Sequence, residues 1–418
     1  MKDIIFKIHK LGPIENVEVK FAPMVILTGE SSLGKSYVNY LFYYFMSFFY
    51  ANKIDDLITV PIDVTKGAQT FIIKRTRLED MLHDGVEGFM RNFLGDDNFS
   101  CDVDFSIPTL PEEINYSYNC KVHAPSELQT TQKNNEFYFR FNNEVDKRFK
   151  LDVIDGTSVI IGLAYCLVYS LLGKSLFAPV ILPPGRGAFV GENFSVKNRI
   201  SSSMGMYNDF FAQYDEATLP SNSGQEIDEE FAALMQKLIG GQLKTDKNRQ
   251  YFVMADGTQI SLNAAASSIK EISPFLFYLK NRFNNFCSIC FEEPEAHLHP
   301  SMQIAVADLV AAYKNKGAIF QITTHSDYFL ARINQLIKLN ELESQKEELA
   351  REINAPIISA LDKKEVAAYY FYRNDAGKVE VKPLEVTAHG IPFATFYDVV
   401  NEQQEQNDLL DEMLFNAK

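Results

Sequence analysis

Two stretches of this sequence place residue types at spacings that can handle phosphate. Gly29-Glu30-Ser31-Ser32-Leu33-Gly34-Lys35-Ser36 fits the pattern G-x-x-x-x-G-K-[ST]. Glycines at both ends permit a tight loop whose backbone N–H groups converge on phosphate oxygens. A helix starting where the loop ends adds a partial positive charge. Lys35 then reaches the β- and γ-phosphates of ATP, and the Ser36 hydroxyl can ligate Mg²⁺. The second stretch is the apolar run 286–291, which ends in Glu292-Glu293-Pro294-Glu295. A strand ending in adjacent carboxylates projects them from the carboxyl edge of a sheet, where ligands bind in open α/β folds. Glu292 is assigned to Mg²⁺ and its hydration shell, and Glu293 to orienting or deprotonating the attacking water. Alone, such an acidic pair reads as a solvated loop; the phosphate loop makes it a catalytic candidate. Thr323-Thr324-His325-Ser326 follows another apolar run. His325 can hydrogen-bond a γ-phosphate there and sense its loss, with a capped loop histidine as the plainer alternative.

These groups need elements to hold them. Residues 4–8 and 17–21 read as short strands joined by a Gly12-Pro13 turn. Residues 24–27 form a more apolar strand running straight into Gly29, and a helix follows from Lys35 to about Phe49. A strand is expected over 70–74, a helix over 77–94 and a β-rich insert over 105–149, broken by Pro108 and Pro111. Residues 156–172 read as a helix and 180–182 as a strand ending at Pro183-Pro184. The polar stretch 191–250 offers one helix, over 226–238. Helices are expected over 267–279, with serine caps available, and over 302–313, 333–353 and 395–414. Buried strands are expected over 287–291 and 318–323, and a hairpin over 366–386 turning at 374–377. Strands alternating with helices imply an α/β core with parallel strands. The division expected is an N-terminal lobe with the phosphate loop over 1–80, an inserted, partly helical region over 81–255, and a C-terminal lobe over 256–418.

Together these residues resemble the ATP-binding-cassette class of ATPases, and more closely its soluble RecF/SMC/OLD-like branch. Glu293-Pro294-Glu295-Ala296-His297-Leu298-His299-Pro300 is similar to that branch's extended Walker B and D-loop, and Thr324-His325-Ser326 to its switch histidine. Ala266-Ser267-Ser268-Ile269-Lys270-Glu271 lies where the branch carries its signature serines. Pro183-Pro184-Gly185-Arg186 is a weaker likeness to a turn in these ATPases. The resemblance covers roughly residues 1–50 and 255–400. It implies an α/β P-loop head of ABC type with a mixed sheet and β-rich and helical insertions. It also implies ATP and Mg²⁺ as ligands, and a head-to-tail homodimer or higher homo-oligomer in which Ser267 and Ser268 of one subunit cap ATP held by the other. Three departures bear on this. Ser32 stands where the family has glycine, Glu292 where it has aspartate, and Ile269 where the signature has glycine.

The bulk numbers set limits. With 55 Asp+Glu against 40 Lys+Arg, the net charge is −15, so the chain is not steered globally toward nucleic acid. The longest apolar run, 159–172, is shorter than the about 18 residues of a membrane span and reads as a buried helix. The five cysteines are scattered and, with no secretion signal, read as reduced thiols in a cytoplasm. Cys287 and Cys290 have C-x-x-C spacing, but a strand sends them to opposite faces. Glu295, His297 and His299 could bind metal by type, and Asp96, Asp97, Asp102 and Asp104 could mark a nuclease site; D-loop and exposed turn acids are the readings preferred. Residues 333–353 give about three heptads of helix with uneven leucines, a packing helix and not a coiled-coil arm.

The function expected is an ATP-driven dimeric switch. Small coil-free relatives serve in bacterial anti-phage defence beside a separate effector nuclease or toxin, a role that enters here by resemblance only. A RecF-like repair ATPase binding DNA through a local surface such as Lys74, Arg75 and Arg77 is the alternative. A nucleotide-gated binding module with negligible turnover is a third.

Overall fold

The computed structural model describes residues 1–50, 52–121, 135–142, 145–151, 155–190, 204–219, 227–246, 249–392, 403–411 and 413. The chain opens with strands β1 (Ile5–Leu11), β2 (Ile14–Lys20) and β3 (Met24–Gly29), then helix α1 (Lys35–Phe48). Next come β4 (Ala68–Lys74), α2 (Arg75–Leu94), β5 (Cys101–Ser106), β6 (Glu113–Lys121), β7 (Asn135–Phe141) and β8 (Val145–Leu151). Helix α3 (Gly156–Leu172) and strand β9 (Phe177–Leu182) precede α4 (Gly205–Thr218), α5 (Glu229–Ile239) and a meander of β10 (Gly241–Asp246), β11 (Arg249–Met254) and β12 (Gln259–Ser261). The last third carries α6 (Ser267–Arg282), β13 (Cys287–Glu292), α7 (Pro300–Lys316), β14 (Ile319–Thr323), α8 (Asp327–Glu341), α9 (Lys346–Glu352), β15 (Val366–Arg373) and β16 (Val379–Leu384).

A six-stranded sheet in the order β16-β15-β3-β14-β13-β9 is the centre of the molecule. Neighbours from β15 to β9 are parallel, and β16 pairs antiparallel at the edge, so the sheet is mixed. Strands β3, β13 and β14 are buried along their whole length, as parallel strands covered on both faces must be. Because the five strands run the same way, their carboxyl ends share one edge. Residues after β3, β13, β14 and β9, far apart in sequence, meet there.

Helix α1 is apolar almost all round and buried nearly throughout, which suits a helix enclosed between layers and not one on a surface. Its aromatic rings join it to its neighbours: Phe42 packs on Phe6 at 4.9 Å, Phe6 on Phe105 at 5.0 Å and Tyr43 on Phe93 at 5.1 Å. Each such ring taken out of water contributes roughly 1.5–3 kcal/mol. Helix α2 instead buries one stripe, Leu78, Leu82, Val86, Met90 and Phe93, at the helical period. The stretch 81–255 contributes to sheets on either side of it. β5 pairs with β1 in a β2-β1-β5 sheet, and β9 completes the central one.

Some expectations need correction. The helix expected over 333–353 is two: α8 stops at Glu341 because Leu342 adopts φ −98°, ψ 47°, and a short 3₁₀ turn precedes α9. The serines of α6 do not cap it. The cap position is Ala266, without a side-chain bond, and Ser267 and Ser268 are the first helical residues. Pro274 sits inside α6, where its missing N–H leaves the Lys270 carbonyl without a helical donor; the Ser273 hydroxyl donates to that carbonyl at 2.9 Å. Helix α4 and β10 in the polar stretch 191–250, and β11 and β12 at its end and just after it, were not anticipated, because such short elements show little apolar period. Glu226 and the tail residues 393–402 lie outside the described residues. The apolar run 159–172 lies within α3, and no helix among the described residues is long and apolar enough to cross a membrane.

Candidate functional site

The loop 29–36 leaves β3 and enters α1, and its backbone explains its glycines. Gly29 has φ +119°, and a Cβ there would lie 2.1 Å from the Phe371 carbonyl oxygen on β15. Gly34 has φ +91° and passes beside Ile14. Ser32 has φ +61°, also left-handed, which accounts for glycine at this position in the family it resembles. Its side chain is exposed. Ser32→Gly is therefore expected to raise unfolding stability by roughly 0.5–1 kcal/mol, the left-handed penalty less the added freedom of the unfolded chain. Denaturant titration checks this; a loss of stability would show that the Ser32 side chain supports the loop.

Lys35 is the first residue of α1 and is buried. Its ammonium donates to the carbonyls of Glu30 (2.5 Å) and Gly29 (3.2 Å), closing the loop on itself. Burial pulls the Lys35 amine down to about 8, against the opposing influence of Glu293, Glu292, Glu295 and Glu30. A buried cation lacking a direct carboxylate bond, in a glycine-bounded loop at a helix N-terminus, fits a polyphosphate. A polyanion at the loop raises the Lys35 pKa again, so binding takes up protons. Well below pH 8 the amine is charged in both states; as pH rises through about 8 only the free protein loses its proton, and affinity falls by at most about tenfold per unit. Calorimetry of Mg·ATP binding near pH 8 in buffers of different ionisation enthalpy should show uptake of a fraction of a proton. Release, or no exchange, would contradict this.

Across from the loop, Glu292 ends β13 fully buried. Its carboxylate accepts from Ser36 Oγ (2.6 Å), Asn39 Nδ2 (2.5 Å) and Thr323 Oγ1 (3.0 Å). Burial pushes its pKa up, and these three donors work in the other direction. The next residue, Glu293, takes φ +43°, a strained conformation for a side chain with a Cβ. Thr323 holds it, accepting the Glu293 N–H at its carbonyl (3.0 Å) and its hydroxyl (3.2 Å). His325, half-buried after β14, lies beside the Gly29 backbone; burial and then Lys35 lower its pKa. The His325 N–H and the Thr324 hydroxyl both donate to Glu295 Oε1, at 2.7 and 2.8 Å, while Glu295 Oε2 is buried and without a partner.

The structure thus brings Lys35, Ser36, Glu292, Glu293 and His325 to one edge. The bonds that join the loop to β13 and β14 do not extend to Ser267 and Ser268, which start α6 at the surface. Four supporting residues were not assigned roles from the sequence: Asn39, Thr323, Arg186 and Glu295. Asn39 had a legible signal, being one helical turn past Ser36 and a lone amide among aromatics. Arg186 had a fainter one, a single charge in an apolar turn. Cys287 and Cys290 do face opposite sides: the first accepts from the Tyr278 hydroxyl, the second contacts the Asn39 carbonyl on α1. His299 turns to Ser301 at the start of α7, and Glu295 to the switch loop, so these two do not converge on an ion. Asp102 and Asp104 lie on β5, not in a turn. With His9 they form the one group among the described residues within reach of a shared ion, and Asp104 is ion-paired to His9 and His83. Arg75 and Arg77 donate from their guanidinium groups to the carbonyls of Leu110 and Asp56, while Lys74 and Arg77 stay exposed.

Residues 196–330 match a family described as an AAA ATPase domain, AAA_15. That span includes α6, β13, β14 and His325. No curated protein matches the sequence. Among solved structures, the chain is similar to an SMC head bound to the C-winged helix domain of ScpA, at 14% identity over 92% of this chain and 97% of that one, with a TM-score of 0.39. It is similar to the SMC head domain from Thermotoga maritima, at 11% identity over 92% and 100%, with a TM-score of 0.37. A third is an SMC head with an extended coiled coil derived from Pyrococcus furiosus and bound to the C-terminal domain of ScpA, at 11% identity over 96% and 99%, with a TM-score of 0.39. The fold is α/β with a mixed central sheet, and residues 196–330 carry the likeness to an AAA ATPase domain.

Proposed function

We propose that this chain binds Mg·ATP at the loop 29–36, hydrolyses it with Glu293 as the base, and uses the cycle to close and reopen a head-to-tail homodimer. The observation that carries the reading is the meeting of Lys35, Ser36 and the Glu292–Glu293 pair at one sheet edge. Ser36 and Glu292 are the groups that would hold magnesium, which when bound neutralises charge on the β- and γ-phosphates. The remaining chemistry falls to this chain's own groups. Loop amides and Lys35 bind and orient the phosphates. Glu293 accepts a proton from water as the water oxygen attacks the γ-phosphorus and the bond to the β-phosphate oxygen breaks, leaving ADP and phosphate. His325, beside the first loop residue, is the group that would register loss of the γ-phosphate.

The dimer reading rests on α6. No side chain caps its N-terminus, which leaves first-turn amides uncapped beside the exposed Ser267 and half-exposed Ser268, an arrangement that would take up a phosphate presented by a second copy. Light scattering tests it: Glu293→Gln, which binds but turns over slowly, should double in mass with Mg·ATP and not with Mg·ADP, and Ser268→Arg should abolish the doubling. A monomer under both nucleotides would remove the dimer from the reading. A separate effector, whether a nuclease or a toxin in phage defence, is the further proposal by resemblance, and mass spectrometry of affinity-purified native complexes addresses it. The net charge of −15 weighs against the DNA-repair alternative, although Lys74 and Arg77 are exposed.

A further inference from the structure

Arg186 is completely buried, the largest side chain so enclosed among the described residues. A guanidinium cannot shed its charge readily and must find acceptors for its N–H groups when removed from water. Its acceptors belong to three segments. Nε donates to the Glu271 carbonyl (2.9 Å), one terminal nitrogen to the carbonyls of Glu292 (2.7 Å) and Pro183 (3.0 Å), and the other to the Glu293 carbonyl (3.3 Å). The Glu271 carboxylate lies 3.6 Å away, and the Phe291 ring 4.7 Å beneath. The other Glu271 oxygen accepts from the Gly187 N–H at 2.8 Å, and a Cβ on Gly187 would lie 2.6 Å from it. The turn after β9, helix α6 and the carboxyl end of β13 are therefore joined through one side chain.

Two consequences follow. The strained Glu293 is held from both sides, by Thr323 at its N–H and by Arg186 at its carbonyl. Glu271 stands four residues after Ser267 and three after Ser268, on their face of α6 about one turn inward. A buried, close-packed junction transmits a shift of one member to the others. We infer that Arg186 is a positioning residue that sets the backbone of Glu293 and makes its placement depend on the position of α6. Contact at Ser267 and Ser268 then reaches the hydrolytic carboxylate of the same chain through Glu271 and Arg186. This rests on the hydrolytic reading above.

The test is a mutant cycle on the full-length protein, with phosphate release, Mg·ATP affinity and melting temperature read together. Arg186→Lys keeps the charge but cannot span three acceptors. It should lower turnover on the order of 10- to 100-fold, as a misplacement near 1 Å does, with affinity within about threefold of wild type. Combined with Glu293→Gln, it should slow turnover no further, because both changes act on one carboxylate. Glu271→Gln, which keeps an oxygen for Gly187 and removes the charge facing Arg186, should behave alike and carries the cycle alone if Arg186→Lys does not fold. A wild type without turnover, or Glu293→Gln at the wild-type rate, overturns the hydrolytic reading and this inference with it. A wild type slowed by Glu293→Gln but not by Arg186→Lys or Glu271→Gln overturns this inference alone, as do losses that add to that of Glu293→Gln.

Discussion

Replacing Glu293 by glutamine should lower the rate of ATP hydrolysis on the order of 10²–10³-fold, within the range of a general base, while Mg·ATP affinity stays within a few-fold. The amide matches the carboxylate in shape, and the backbone that carries it is held by Thr323 and Arg186, so the fold has little cause to respond. What is lost is the capacity to take a proton. Glu292 does not substitute: it is the group assigned to magnesium, it already accepts from Ser36, Asn39 and Thr323, and it is buried. Single-turnover phosphate release, with protein in excess of ATP, separates the chemical step from product release. Equal rates for the two proteins would remove Glu293 from the mechanism. A parallel collapse in ATP affinity would instead make it a binding residue.

Replacing Lys35 by methionine should weaken Mg·ATP binding by roughly 100-fold or more, the scale of losing charged hydrogen bonds worth about 3 kcal/mol. The free protein should melt no lower than wild type, and this contrast gives the experiment its force. Lys35 is a cation held in a buried place with only carbonyls as direct partners, and its amine is already pulled down to about 8. Methionine keeps the stem and discards the cost of burying charge. Wild type should gain melting temperature with Mg·ATP, as any ligand specific to the native state requires, and the variant should gain almost none at the same concentration. A variant that unfolds without ligand would show that the Lys35 bonds to Gly29 and Glu30 hold the loop together. One that keeps the full ATP-dependent rise would place the triphosphate elsewhere.

Much of this site was legible before any coordinates. The loop pattern is local, because two positions need φ values that glycine supplies and the next two residues must be a cation and a hydroxyl. The strands before Gly29 and Glu292 were legible because burial on both faces demands unbroken apolar runs, and the residues at their ends follow from where those runs stop. Where short elements bury only part of one side, as in α4 and β10–β12, that signal fades. The break at Leu342 was equally hidden, since one backbone angle ended a helix that composition would have continued.

What only the tertiary structure decided is which distant groups face one another. Strand order is set by how whole faces pack and not by any local pattern, and here β14 lies between β3 and β13. That order places Thr323 against Glu292 and His325 against Gly29. Asn39 meets Glu292 across 253 residues of chain, and Arg186 meets the same strand end across 106. Residue type and spacing thus determined what chemistry the chain holds. Packing determined the geometry that supports it, because a hydrogen bond between remote segments exists only once the sheet and the helices on it have fixed their orientation.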